Sequence, residues 1–419
     1  MLQSIVLQKQ SQKMSSFRFF CLHPENKYDI MKSIPQNAKV NLLRLIKTVK
    51  EWNRRYIMKK FTGFEHGMGI GGWLTNYKRF NVLPDHWRLP ITIGDMEHFA
   101  SYITERDVAY IASLGMDHIR LGFDQIVLEE SPYVYREEIF GIIDNFIGWC
   151  KKYGVNVVLN LHKAVGNYCD IKEKVELLND EELQNRFIAL WLAFERRYTG
   201  DNSIAFELLN EVRDVDPEKW NSLAAKAITA LRALNPDRLI IIGPTCWNNP
   251  PALKHLRVFD DENVIYTFHM YAPFEFTHQR GVLQAAPLYY NRDMPYPCDI
   301  ERYRDFQKTV HGNGNAYAAY DRMDRRVIRN ELQPAVDFIK AHPDKILWCG
   351  EFGTIRHAKI EWRENWMRDV IAFLKENDIP YCVWNYLSTP NDGNRFSLVD
   401  DDHRRILSEE LGRIIAGQV

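Results

Sequence analysis

A chain of 419 residues with 46% apolar residues and a formal net charge of −1 has the composition of a globular protein that buries a large core. That balance excludes disordered and fibrous classes, and no run reaches the ~18 apolar residues that a membrane-crossing helix needs. The charge is uneven: residues 1–60 hold 13 Lys/Arg against 3 Asp/Glu, and the remainder holds 41 against 52, so the main body is acidic and no nucleic-acid partner is expected for it.

Residues 1–57 differ from the rest. The first 37 or so are polar and unpatterned. Val40, Leu43, Ile46, Val49 and Tyr56 then alternate with Arg44, Lys47, Lys50, Arg54 and Arg55, as in a basic amphipathic helix. Such a helix could rest on a membrane surface or against the main domain. The competing reading is a disordered extension outside the native domain, because Met58 begins a plausible natural start. The seven cysteines, Cys21, Cys150, Cys169, Cys246, Cys298, Cys349 and Cys382, are odd in number and lack CxxC spacing, so neither a disulfide framework nor a zinc pattern is present. Together with the lack of a signal-peptide pattern, this predicts a reducing, cytoplasmic location.

From residue 64 onward, strand and helix patterns alternate. Strands are predicted at 67–73, 118–123, 155–162, 204–211, 238–243, 264–271, 346–351 and 381–384. Helices are predicted at 104–114, 137–153, 181–198, 217–234, 250–256, 327–341, 361–376 and 403–415. Asp216-Pro217 is a helix start, an N-cap followed by proline in the first turn, and Gly115, Gly154 and Gly200 stand where helices should stop. Eight such units predict a closed (β/α)8 TIM barrel over residues 62–415. Residues 272–326 interrupt the rhythm with several prolines and the run His311-Gly-Asn-Gly-Asn. A segment that long, following the sixth strand, is expected to form a lid-like insertion subdomain over the catalytic face.

Two apolar runs end in a glutamate: Phe-Glu-Leu-Leu-Asn210-Glu211 and Leu-Trp-Cys-Gly350-Glu351. Runs of this kind suit strands buried on both faces, and a carboxylate at the C-terminal end of a barrel strand lies where that fold does its chemistry. Two of them, on the fourth and seventh strands, fit a double-displacement glycosidase, with one proton donor and one nucleophile. Arg120, His162, His269, Tyr271 and Trp384 end four of the remaining strands. Singly, each is explained as a structural group; together they form a constellation of polar groups at one rim.

The pattern resembles glycoside hydrolase family 5. Asn210-Glu211 matches its acid/base motif, and Gly350-Glu351-Phe352-Gly353 its nucleophile motif. Arg120, His162, His269, Tyr271 and Trp384 match its remaining active-site positions. The opening Gly-Ile-Gly-Gly-Trp-Leu and the insertion after the sixth strand look like the clostridial non-cellulosomal endoglucanase C type, which acts on β-glucans. Two departures stand out: Lys163 replaces a frequent second His, and Val212 follows the acid where many members have Pro.

The resemblance implies that Glu351 is the nucleophile and Glu211 the proton donor and base, with carboxyl groups roughly 5–5.5 Å apart. It implies that Tyr271 and Arg120 orient Glu351, Asn210 holds the sugar 2-hydroxyl, His269 supports the acid and Trp384 floors the subsite of the attacked sugar. Burial and the neighbouring charge are expected to raise the Glu211 carboxyl. The expected substrate is a β-linked oligo- or polysaccharide, with endo-β-1,4 or mixed β-1,3/1,4-glucan cleavage as the leading reading. Exo-β-1,3-glucanase, β-glucosidase and β-mannanase remain alternatives on the same scaffold, and a non-catalytic carbohydrate-binding protein is a further rival. No metal or cofactor is expected: no HExxH is present, and no helix start follows the glycines at 67–72 as a dinucleotide loop requires. Linkage preference and oligomeric state are not legible.

Overall fold

The apolar runs become the staves of a closed barrel. In the computed structural model, which describes residues 61–75, 91–167, 175–282, 284–389, 392 and 394–418, the strands are β1 (His66–Leu74), β2 (His118–Asp124), β3 (Asn156–Lys163), β4 (Ile204–Glu207), β5 (Ile240–Ile242), β6 (Val264–Met270), β7 (Leu347–Phe352) and β8 (Tyr381–Val383). They close in sequence order, β8 returning to β1, and every neighbouring pair is parallel. Every residue of β2, β4, β5, β6, β7 and β8 is buried, which is why these strands read as continuous apolar runs rather than alternating ones. The predicted extension at 1–57 lies outside the described residues.

The interior of the barrel is packed in its lower half. Val158, Ala205, Ile241, Ile265, Trp348 and Cys382, one from each of six strands, form a cluster with Phe61 and Phe64. Alternate residues of β2 climb this interior. The His118 ring lies 5.6 Å from Phe64 and 5.7 Å from Trp348, and Arg120, two residues on, reaches carboxylates of β4 and β7. The apolar floor therefore gives way upward to polar chemistry within the length of one strand.

Helices cover the outside, among them Glu105–Ser113, Glu137–Lys152, Glu181–Arg197, Pro217–Leu234 and Ile360–Glu376. The Asp216 side chain accepts from Glu218 N–H and Pro217 occupies the first turn, as predicted. Four elements differ from expectation by more than a residue at an end. The single helix expected at 327–341 is two, Arg325–Glu331 and Gln333–Ala341, broken at Leu332 with Pro334 in the first turn of the second. The last helix starts at Glu409 rather than 403, where the Ser408 hydroxyl accepts from Leu411 N–H as its N-cap. β4 ends at Glu207 rather than 211, although Leu208 and Asn210 still donate to backbone carbonyls of β5 and β3. β5 begins at Ile240 rather than 238 because Arg238 turns into a buried polar knot: its guanidinium pairs with Glu195 at 2.6 Å and donates to the carbonyls of Tyr198, Asp201 and Ile204.

Residues 272–326 carry helices Phe274–Thr277, Ala285–Tyr290 and Glu301–His311, and a short antiparallel pair, Cys298–Asp299 with Arg322–Met323. Met294, Tyr296, Tyr303, Phe306 and Met323 are buried among them. The segment is anchored to helix Ile360–Glu376 by Phe276 against Trp366 and by a 2.7 Å hydrogen bond from the Tyr296 hydroxyl to Asp369.

Glu195 and Arg238 are 0% and 2% exposed, so removing one partner strands a buried charge. Glu195→Ala is expected to cost about 3–5 kcal/mol, read as a lowered midpoint in urea unfolding followed by circular dichroism.

Candidate active site

Six of the eight residues singled out from strand ends form one hydrogen-bonded network. Arg120, fully buried on β2, is its hub. Its Nε and Nη2 donate to the two oxygens of Glu207 at 2.5 and 2.9 Å, Nη2 also donates to Asn210 Oδ1 at 2.8 Å, and Nη1 donates to Glu351 Oε1. The second Glu351 oxygen accepts from the Tyr271 hydroxyl at 2.9 Å. His269 Nδ1 lies 2.8 Å from Glu211 Oε1 and 3.6 Å from Glu351 Oε2. One carboxylate oxygen of Glu211 and one of Glu351 lie within 4.8 Å of each other.

The backbone places these groups by small departures from strand geometry. Asn210 N–H still bonds the Leu161 carbonyl at 2.9 Å, holding the end of β4 against β3. Glu211, the next residue, has φ 43°, a left-handed conformation uncommon for a residue with a side chain, and it turns out of the ladder toward the cleft. Across the barrel, β7 shifts register between Cys349 and Glu351 relative to β6, which sets Glu351 opposite His269.

His162 and Trp384 complete the set by stacking, with ring centroids 5.5 Å apart and planes 6° from parallel. The glycines of β1 explain how the indole fits. A Cβ at Gly69 would lie 2.7 Å from the Trp384 ring, and one at Gly71 would lie 2.6 Å from it. The glycine pattern of the opening motif thus clears a bed for an aromatic side chain of the last strand.

These groups meet in a cleft of about 690 Å³ lined by His162, Glu211, His269, Tyr271, Glu351 and Trp384. Arg120 and Asn210 lie beneath it, 0% and 1% exposed. Lys163, the departure from the family pattern, is also in the lining, as is Glu275 from the start of the insertion.

Burial dominates the electrostatics. It raises the Glu351 carboxyl above the ordinary glutamate value, and His269, Arg120 and the Tyr271 hydrogen bond pull it back. It pushes His269 down to about 4 and His162 well below its ordinary value, so both rings are neutral near pH 7. Burial also opposes the charge on Arg120, but Glu207 and Glu351 more than offset it and hold the guanidinium protonated.

Glu211, His269 and Glu351 also bring three metal-ligand-type atoms together. Both Glu351 oxygens already accept hydrogen bonds, one of them from a guanidinium, which is the setting of an oriented carboxylate. A second grouping, Glu65, His66 and Asp117, has its Asp117 oxygens accepting from two backbone N–H groups, and Asp117 Oδ1 also faces the His118 ring at 2.7 Å.

Sequence reasoning missed three contributors. Glu207 is wholly buried, and its signal was a lone carboxylate inside the apolar run of β4, which demands a buried cation. Trp247 is 42% exposed and lines the cleft; a tryptophan in the polar turn Cys-Trp-Asn-Asn-Pro marked it. Asn248 contacts the far side of His269 and left no sequence signal beyond its neighbours.

Comparison with known proteins agrees with this geometry. The sequence profile of Cellulase (glycosyl hydrolase family 5) matches residues 88–389. Endoglucanase C of Acetivibrio thermocellus is 36% identical over 362 residues, covering 84% of this chain and 98% of its own. Cellodextrinase A of Ruminococcus flavefaciens is 33% identical over 227 residues, 53% of this chain and 62% of its own. The crystal structure of endoglucanase Cel5A from Thermotoga maritima superposes with a TM-score of 0.65 at 24% identity, covering 86% of this chain and 99% of that one. With a carboxylate pair at the ends of the fourth and seventh staves and a family profile spanning most of the barrel, this chain belongs to glycosyl hydrolase family 5, the cellulase family.

Proposed function

We propose that the protein is a retaining β-glucan hydrolase that cuts β-1,4 or mixed β-1,3/1,4-glucan internally, with Glu351 as nucleophile and Glu211 as acid/base. The observation that carries this is the pair of glutamate oxygens within 4.8 Å, each carboxyl held by different partners. Separations of roughly 5–5.5 Å between carboxyl groups suit direct attack, whereas inversion needs ~6.5–9.5 Å to admit a water. The endo-acting preference is supported by similarity to Endoglucanase C across 98% of its length.

The chemistry runs in two displacements. In the first, a Glu351 oxygen attacks the anomeric carbon while the glycosidic C–O bond breaks and its oxygen takes the proton of Glu211. A glycosyl ester of Glu351 results. In the second, Glu211, now a carboxylate, removes a proton from water. The water oxygen attacks the anomeric carbon, the ester bond breaks, and Glu351 is regenerated with the sugar's configuration retained. Arg120 and Tyr271 orient Glu351 and favour its ionised form. Asn210, whose amide oxygen is held by Arg120, is the donor we assign to the sugar 2-hydroxyl. His269 supports Glu211, and the Trp384 face, backed by His162, floors the subsite of the attacked sugar. Trp247, partly exposed in the cleft lining, offers a further stacking face for the sugar chain.

A product profile across barley β-glucan, carboxymethylcellulose, laminarin, mannan and cello-oligosaccharides tests the substrate assignment. Early release of mixed oligomers with a fast fall in viscosity is expected on the β-glucan. Release of glucose alone, from chain ends, would reassign the enzyme as an exo-glycosidase.

Glu351→Ala is expected to abolish turnover. Azide should partly restore cleavage of activated aryl glycosides and give the azide of inverted configuration, identifiable by NMR. Glu211→Ala should lose about 10²–10⁴-fold on β-glucan while retaining far more activity on aryl glycosides with good leaving groups; near wild-type rates on glucan for either variant sink the pair.

The pH dependence has a defined sign. Glu351 attacks only when ionised, and its carboxyl is raised above 4.5, so kcat/KM should decline on the acid side with a midpoint above 4.5. The Tyr271 hydrogen bond favours the carboxylate form. Tyr271→Phe should therefore move that acid limb to higher pH, read from kcat/KM profiles on an aryl cellobioside; an acid limb at the same or lower pH contradicts the assigned role.

A further inference from the structure

Between β5 and β6 three consecutive non-glycine residues are left-handed: Cys246, Trp247 and Asn248, with φ of 60°, 56° and 55°. Such a run is costly and persists only where its surroundings over-determine it. It sends neighbouring side chains in different directions. Trp247 joins the cleft wall, and Asn248 is wholly buried behind His269. There the Asn248 carbonyl accepts from His269 N–H at 2.8 Å, and its side-chain Nδ2 faces His269 Nε2 at 3.2 Å. Gly243 provides the space, since a Cβ at that position would lie 2.4 Å from Asn248 Oδ1. The asparagine thus grips both the backbone and the outer ring nitrogen of the histidine that contacts Glu211.

An amide nitrogen can only donate. The ring nitrogen opposite it must then present a lone pair, and a neutral imidazole carries its single proton on the other nitrogen. That nitrogen, Nδ1, is 2.8 Å from Glu211 Oε1. We infer that Asn248 is a positioning residue for Glu211: by donating to His269 Nε2 it holds the ring as the Nδ1–H tautomer, keeps Glu211 Oε1 as a hydrogen-bond acceptor, and so confines the transferable proton to Oε2. The inference rests on the reading of Glu211 as acid/base. It supplies what that reading leaves open, which oxygen of the acid delivers the proton.

The surroundings of the ring support a neutral histidine. The titratable groups around it are Glu211, Glu351 and Tyr271 on the cleft side and Arg120, Glu207 and His162 within the barrel mouth. Burial, the largest influence, and Arg120 favour the neutral ring, and the carboxylates of Glu351 and Glu207 oppose it without prevailing. Because the histidine is neutral, its tautomer rather than its charge decides whether Nδ1 donates to Glu211 or accepts from it.

Two variants separate this role from mere packing. Asn248→Gly keeps the left-handed backbone and removes the amide. Asn248→Asp keeps the shape but puts an oxygen against Nε2, which calls the ring proton to that side and turns Nδ1 into an acceptor for the Glu211 O–H. Both should lower activity on β-glucan by about 10-fold or more, spare aryl glycosides with good leaving groups, and move the basic limb of kcat/KM to higher pH, by about one unit for the Asp variant. Equal losses on both substrates with an unmoved or lowered basic limb overturn the proposal. Should either variant fail to fold, ¹⁵N imidazole spectra of the wild-type enzyme, with the resonance assigned through His269→Gln, decide the matter: a protonated Nδ1 supports it and a protonated Nε2 overturns it. If Glu211→Ala retains its glucan activity, the acid/base reading falls and this one with it. If Glu211→Ala fails on glucan while the Asn248 variants leave the limb in place, only the tautomer assignment falls.

Discussion

A guanidinium without solvent is the constraint around which the mouth of this barrel is arranged. Arg120 has no exposed surface, and a buried charge survives only with partners that meet its hydrogen-bonding geometry. Glu207 takes two of its N–H groups in a fork, Glu351 takes a third, and the Asn210 carbonyl shares one of the fork nitrogens. Those partners come from β4, β7 and the turn after β4, so one side chain from β2 fixes the spacing of strands on opposite sides of the barrel. The arrangement also leaves a charge mismatch. Two carboxyl groups, Glu207 and Glu351, share one guanidinium, while Glu211 is held instead by His269. In the proposed cycle, the guanidinium is thereby reserved for the carboxylate that has to be ionised, Glu351.

The barrel was legible because parallel strands buried on both faces leave a simple mark: an apolar run that stops where the chain reaches the mouth. Arg120, His162, Asn210, Glu211, His269, Tyr271, Glu351 and Trp384 were all readable as residues at or near such stops. What was not legible has specific causes. Glu207 sits within a run rather than at its end, and its one local signal, a carboxylate among apolar neighbours, calls for a buried cation without saying which one. The break at Leu332 depends on Pro334, whose meaning changes with whether the helix arrives at it or starts from it. Asn248 depends on a left-handed run of three that only its last residue, the asparagine, hints at, since Cys and Trp are poor indicators of positive φ.

The electrostatic division between the two glutamates is less visible still. Position along the strand made them look alike, each a carboxylate ending an apolar run. Their difference comes from neighbours contributed by distant segments: a tyrosine and an arginine for Glu351, a histidine backed by an asparagine for Glu211. Exposure separates them as well, with the Glu211 side chain 21% exposed and that of Glu351 4%. In the proposed roles, the group that exchanges protons with leaving group and water is the more open of the two, and the group aimed at one carbon is the more enclosed.

The bare face of β1 bears on how the molecule comes to be active. Gly69 and Gly71 offer no side chains of their own, and the indole of Trp384 lies over them. The floor proposed for the sugar site is therefore a joint product of the first and last staves, assembled across the seam where β1 pairs with β8. Folding intermediates that have formed the glutamate pair on β4 and β7 but not sealed that seam would carry the reactive groups with no surface to seat a sugar ring. On the proposed reading, a seat for the sugar ring therefore requires closure of the whole cylinder.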